Sequence, residues 1–424
     1  MGISSSLNAS VAGLQANAQR LSGISDNIAN SQTNGYKRAD TDFGSLVNYG
    51  NSASSYNAGG VRAATSREVS TQGSLISTGN STDISINGRG FIPVTSVTER
   101  GEGAATRPFM LTTTGSFSKD DAGFLRTGSG LQLLGWPSDA TGVATGTNVS
   151  DLEPVNLNGF DFSSNPTTNA ELAINLPSNP VAPGVHSINL EYFDQLGNSN
   201  DLAIEFTSVN AAAGTWTMTL TDSADGSVVG NLDLDFATAG ATAGSLEGVV
   251  ANTGTYTPAT GILTVPASAG GTSIDIQIGT YGSTANLTQF ASDFAPVEIT
   301  KDGSSVGFLE TVELNSAGYL EGIYDNGLRR SLYQIPVADV ANAGGLSPED
   351  GQAFSISNAS GPVKLWNSGD GPTGTLTGYT LEQSTTDITE ELTQLIQTQR
   401  AYSSNAKIVQ TVDEMLQETT NLKR

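Results

Sequence analysis

A seven-residue spacing at both ends of the chain constrains its fold more than any other feature. Leu7, Leu14, Leu21 and Ile28 recur every seven residues, and Ile3, Val11 and Ala18 flank that row, so together they form one apolar stripe on a helix. At the other end Ile388, Leu395, Tyr402, Val409 and Leu416 repeat the spacing, flanked by Leu392, Ile396, Ala406 and Val412. No proline precedes Pro93 and none follows Pro372, so nothing breaks either helix early. A sustained heptad is the signature of helices that pack along one another. A single stripe satisfies one neighbour, so the ends are expected to lock into shape against other copies of the chain. A helix pair docked on its own domain is the alternative.

The 424 residues suffice for two to four domains. Charged residues make up 14% of the chain, against about 25% in ordinary soluble proteins. Small polar residues dominate instead, which suits short strands and turns. The net charge of −24 argues against binding nucleic acid or an anionic membrane by bulk electrostatics. No cysteine is present, so disulfide and thiolate chemistry are excluded. No apolar run approaches the roughly twenty residues of a membrane span, and no basic segment followed by an apolar core opens the chain. Direct membrane insertion and a cleaved secretory signal are therefore not expected.

Asn34-Gly35 is a turn dipeptide that ends the first heptad pattern. Residues 44–60 are rich in Gly, Ser, Asn and Ala and read as an extended linker, with Tyr49 and Tyr56 as isolated anchors. Beyond it the pattern is β. Asp83-Ile84-Ser85-Ile86, Asn87-Gly88 and Phe91-Ile92-Pro93-Val94 read as a hairpin. A Pro/Gly/Asn-rich seam at 137–150 opens a section of clean alternation. There Ile188, Leu190 and Tyr192 answer Leu202, Ile204 and Phe206 across a turn at 194–198, and antiparallel sheet with one buried face is expected. From about 300 the chain resembles the first β module again.

The expected fold is mixed and mainly β: a discontinuous α-helical coiled-coil terminal domain plus two β-rich domains, the outer inserted into the inner. Residues 1–35 and 385–424 form the terminal helical assembly domain, and 36–75 with 371–384 an extended linker region. Residues 76–150 and 300–370 form a β-rich middle domain, and 151–299 the inserted outer one.

No constellation of residues reads as an enzyme. His186, the single histidine, has no nucleophile-elbow signature with it, so a structural role is expected. Asp233 and Asp235 share a face at period two, but no EF-hand spacing surrounds them and solvent-facing strand carboxylates explain them equally. Gly88-Arg89-Gly90 is too short for a dinucleotide fingerprint and does not precede a helix. Paired glycosidase carboxylates cannot be picked out among acids scattered through the loops. No cofactor and no metal are expected.

Asn27-Ile28-Ala29-Asn30 followed by Thr33, Gly35, Tyr36 and Lys37 closely resembles the signature of the bacterial flagellar rod and hook proteins. Residues 72–79, 83–91, 115–125 and 130–136 follow in the order of that superfamily. At the C-terminus Leu381-Glu382-Gln383-Ser384, Asp387, Leu395-Ile396 and Gln399-Arg400-Ala401-Tyr402 do the same. Thr385-Thr386 departs from the pattern, standing where an Asn-Val pair is common. Rod proteins lack a large central insertion, so 151–299 points to the hook branch.

The resemblance implies a structural subunit exported through the flagellar type III channel. It would polymerise under a cap into a curved tube between rod and filament, outside the cell. Its partners would be other copies of itself, rod proteins, the hook cap and the hook–filament junction proteins. The terminal stripes would be its assembly interface. A distal-rod or hook-associated protein is the alternative within this class. A secreted β-rich adhesin or enzyme is the alternative outside it, and would be a self-contained monomer with a cleft.

Overall fold

The computed structural model describes residues 3–46, 59–96, 108–139, 141–179, 184–266 and 273–421. Most of the expected 44–60 linker, with Tyr49 and Tyr56, lies outside them. The chain divides into two compact units. One comprises Met1–Asn158, Thr311–Gly322 and Arg330–Arg424, and the other Gly159–Glu310 with Ile323–Arg329. The architecture is mainly β, with one helix at each end: α1 (Ile3–Ala29) and α2 (Ile388–Asn421).

In the first unit, strands from the two ends of the chain pair with one another. Leu75–Ser77 lies antiparallel to Thr380–Glu382, and Asp83–Asn87 to Thr375–Gly378. The region 36–75 carries paired structure rather than a bare linker, because Ala39–Ser45 matches Val61–Arg67 over seven residue pairs. The hairpin expected at 83–94 does not form. Asp83–Asn87 sits between Thr375–Gly378 and Thr114–Lys119, while Ile92–Ser96 sits between Phe109–Thr112 and Leu131–Pro137. The first four residues of both strands are buried, so both faces are covered, whereas an isolated two-stranded ribbon leaves at least one face to water. Gly88 and Gly90, at φ 115° and 134°, turn the chain out of one pairing and into the other.

The second unit is a sandwich of two sheets around one core. Val185–Phe193, Ser199–Asn210, Thr215–Asp222, Val228–Phe236 and Leu246–Thr253 form a five-stranded antiparallel meander in chain order. Ile188 faces Ile204 and Leu190 faces Leu202, as the alternation predicts. The other sheet departs from the all-antiparallel expectation. Its central strand Asn169–Pro177 pairs in parallel with Ser273–Gln277 and Leu287–Phe290, and antiparallel with Ala295–Lys301. Leu172 and Ile174 from this sheet meet Phe206, Trp216 and Leu234 from the meander, all buried. His186 belongs to this packing: its ring stacks on Phe294 at 4.6 Å between centroids, with Trp216 at 6.0 Å.

Candidate assembly interface

α1 and α2 run antiparallel. Asn27 Nδ2 donates to Glu391 Oε1 at 3.1 Å, Arg20 Nη2 donates to Gln394 Oε1 at 3.2 Å, and Gly13 faces Asn405. A Cβ at Gly13 would stand 3.0 Å from Asn405 Nδ2, so the missing side chain sets the helix separation. The buried residues of α1 include Ser10, Gly13, Ala16, Asn17, Ile24 and Asn27; those of α2 are Glu391, Thr398 and Val412. This seam is small and polar. Its hydroxyls and amides bond partly to their own helices, Ser10 Oγ to Ser6 O, Asn17 Nδ2 to Gly13 O and Thr398 Oγ1 to Gln394 O, so close approach strands few polar groups.

The heptad residues are not brought together by this pairing. Leu7, Leu14, Leu21 and Ile28 are half-buried and Val11 is exposed, while the side chain of Ile3 lies outside the described residues. On α2, Leu395 and Val409 are half-buried, but Ile388, Leu392, Tyr402 and Leu416 are exposed, as are Ile396, Ile408 and Met415. At about 100° per residue the α1 stripe lies roughly a quarter turn from the buried row.

At the base of the helix pair the 27–37 motif forms a polar knot with the C-terminal segment. Asn27 is saturated: its Oδ1 accepts the Ala39 N–H at 2.8 Å and the Tyr36 hydroxyl at 3.1 Å, and its Nδ2 also donates to Ala39 O at 2.9 Å. Lys37 Nζ meets Glu382 Oε1 at 2.7 Å with both side chains 2% exposed, and also donates to Thr71 O. The same Glu382 oxygen accepts the Gly73 N–H at 2.6 Å. Gly35, at φ 75°, donates its N–H to Glu382 O, and a Cβ there would meet Thr114 Cγ2 at 2.8 Å, so only glycine fits. Asn30 Nδ2 and Thr33 Oγ1 close the end of α1 through Asp26 and Asn30. Ala29, Gln399 and Arg400 are exposed.

Burial, together with the hydrogen bond to Asp26, pushes the Tyr36 phenol up to about 12, although Arg67 beside its ring pulls the other way. It therefore stays a neutral donor to Asp26 and Asn27. Across the knot, Arg38 Nε donates to Glu391 Oε1 at 2.6 Å. Asp387 accepts the N–H groups of Thr389 and Glu390 and so caps α2. Thr385 Oγ1 accepts the Arg38 N–H at 2.9 Å, whereas the buried Thr386 hydroxyl has no partner. Arg38 and Glu391 escaped sequence reasoning. A motif lysine in a chain poor in charge implies a buried carboxylate, but spacing cannot say which. Among the described residues no grouping of three or more His, Cys, Asp or Glu could hold a metal, and no helix is long and apolar enough to cross a membrane.

These features have close counterparts among known proteins. Residues 7–37 match the family described as flagella basal body rod protein. Residues 156–304 match the flagellar basal body protein FlaE D2 domain, and 378–422 the C-terminal flagellar basal body rod FlgEFG protein. The flagellar hook protein FlgE of Brucella suis is 34% identical over 435 aligned residues that cover 100% of both chains. The chain belongs to the flagellar hook protein FlgE family. FlgE of Rhizobium meliloti is 33% identical with 100% of both chains covered, and that of Escherichia coli 29% identical over 97% of this chain and 98% of its own. The solved flagellar hook protein FlgE2 of Helicobacter pylori aligns with a TM-score of 0.43 and 10% identity, covering 71% of this chain and 98% of that one. The protein is thus a structural subunit of the bacterial flagellar hook, in a family of structural proteins rather than enzymes.

Proposed function

We propose that the chain polymerises through α1 and α2 into the curved tube of the hook, with the helices forming the layer around its export channel. The observation that carries this reading is the unequal use of α2. Its buried positions are few and mostly polar, while seven large apolar or aromatic side chains remain exposed. Ile388, Leu392 and Ile396, four residues apart, share one side of the helix. Ile408 and Met415, seven apart, lie on roughly the opposite side. Two apolar strips flanking a filled seam suit a helix with a neighbour on each side, as in a packed tube, rather than the edge of a finished monomer. The sequence-derived row Ile3, Leu7, Val11, Leu14, Leu21, Ile28, Ile388, Leu392, Leu395, Tyr402, Val409 and Leu416 is then the contact between copies. The 27–37 knot holds the two ends in register to present it.

In this reading 1–35 and 385–424 form the assembly domain, 36–75 and 371–384 connect it, 76–150 and 300–370 form the middle domain and 151–299 the outer one. Rod proteins meet the tube at its base, and the cap and junction proteins at its tip. The tube bends on each revolution while carrying torque to the filament. Electron microscopy in precipitating salt tests the proposal. The intact chain should give curved tubes, and a chain lacking 1–35 and 385–424, or carrying Leu392→Ser with Ile396→Ser, should give none. Tubes from the truncated chain would remove the helices from the assembly role.

A further inference from the structure

We infer that Asn158 is the site at which the folded chain modifies itself, losing its side-chain amide as ammonia. An asparagine followed by glycine can react with its own backbone, because glycine has no Cβ to shield its nitrogen and the reacting groups are already joined. The chain has four such pairs: Asn34-Gly35, Asn87-Gly88, Asn158-Gly159 and Asn326-Gly327. The fold separates them. The Gly35 N–H is held by Glu382 O at 2.8 Å, that of Gly88 by Gln72 Oε1 at 3.2 Å and that of Gly327 by Tyr324 O at 2.9 Å. Asn326 is also tied at both ends of its amide, its Nδ2 donating to Ser305 O at 2.6 Å and its Oδ1 accepting the Leu328 N–H at 2.9 Å. Among the described residues no acceptor holds the Gly159 N–H. Asn158 and Gly159 are both exposed, Gly159 lies in a turn at φ 93°, and a Cβ there would meet nothing within 4 Å.

The reaction balances with water alone. The Gly159 nitrogen attacks Asn158 Cγ, its proton passes to solvent, and the Cγ–Nδ2 bond breaks to release ammonia and leave a cyclic succinimide. Water then opens the ring at either carbonyl and gives aspartate or isoaspartate. The Asn158 Oδ1, where negative charge gathers during attack, accepts no hydrogen bond among the described residues, and the Nδ2 that donates to Ala122 O at 2.8 Å is the nitrogen that leaves. Either product is a carboxylate and cannot donate to Ala122 O, so residues 156–158 lose one of the bonds that join them to the turn at 120–124. Isoaspartate also routes the backbone through the side-chain methylene, and it does so at the peptide link where the chain passes from Asn158 of the first unit to Gly159 of the second. No enzyme takes part, so the change accumulates with the age of each copy and adds a negative charge to a chain already at −24.

The test ages the folded full-length protein in warm, mildly alkaline buffer beside the same protein unfolded in urea. Peptide mapping by mass spectrometry follows the conversion of amide to acid at each of the four asparagines, and electron-transfer fragmentation identifies isoaspartate. In the folded protein Asn158 should react about tenfold faster than Asn34, Asn87 or Asn326, the rate that freeing one backbone hydrogen bond is worth. In urea the four rates should converge, because each glycine nitrogen is then equally free. Equal rates in the folded protein, or another asparagine ahead of Asn158, would overturn the inference. So would a lead for Asn158 that persists undiminished in urea, since the selectivity would then lie in the flanking sequence and not in the fold.

Discussion

Thr386 is one of the two residues, with Thr385, at which the chain departs from the pattern it resembles, and it has a local consequence. Its hydroxyl is buried without a partner, in the position where the resemblance implies a valine. An unsatisfied buried hydroxyl costs about 1–3 kcal/mol, and valine has the same shape without the polar atom. Thr386→Val should raise the urea midpoint of the first unit, with a gain of about 1 kcal/mol; a loss would mean that the hydroxyl has a partner after all. The Lys37–Glu382 pair behaves in the opposite sense. Removing either charge leaves the other buried, so Lys37→Met and Glu382→Leu should each cost about 3–5 kcal/mol. The combined Lys37→Met/Glu382→Leu variant should recover much of that, and a double-mutant cycle that came out additive would deny the coupling.

In the second unit, burial would raise the Asp302 carboxyl, but the N–H groups of Asn169 and Thr168 and their side chains donate to it and hold it below the ordinary 3.8. A depressed carboxylate contributes stability above its unfolded value and loses it as pH falls through the folded one. Acid unfolding of this unit, followed by Trp216 fluorescence, should therefore steepen below about pH 4, and Asp302→Asn should flatten that limb.

At the scale of elements, the ends of the chain were legible as helices because their apolar period is long and unbroken. The seam between them was not. It is made of Gly13, Asn17, Asn27, Glu391 and Asn405, whose spacing carries no hydrophobic signal. Sequence reasoning therefore found the stripe left over after pairing and had no means to find the pairing itself. The same limit explains the strands. Alternation revealed the meander, where each strand pairs with the next, but could not reveal Asn169–Pro177, whose parallel partners lie about a hundred residues away. Nor could it separate Asp83–Asn87 from Ile92–Ser96, since buried strands read alike whichever neighbours they take. A substitution at the seam tests the helix pair directly. Gly13→Leu drives a side chain into Asn405 and should separate the helices, lowering the helical circular dichroism signal while the β signal persists. Gly13→Ala/Asn405→Ala should restore the pair, because removing the amide opens the space that the new Cβ needs.

For the whole molecule, the balance of charge decides what kind of force can join copies. The chain has 18 basic against 42 acidic side chains. Several of its cations are already committed within the chain: Lys37 to Glu382, Arg38 to Glu391, Arg67 to Asp26, Arg89 to Asp339 and Lys301 to Glu191. Ion pairs between copies therefore have few donors, and the long-range term between copies is repulsion. Salt shortens its reach from about 30 Å at 0.01 M to about 10 Å at 0.1 M, and leaves apolar contact untouched. Assembly through the exposed side chains of α2 should thus become easier as salt rises. The protein concentration at which polymer first forms, measured by light scattering, should fall severalfold between low and moderate sodium chloride. It should fall further in ammonium sulfate, which strengthens apolar burial. A threshold that rose with sodium chloride would instead mean that ion pairs hold the copies together, with the exposed apolar rows as bystanders.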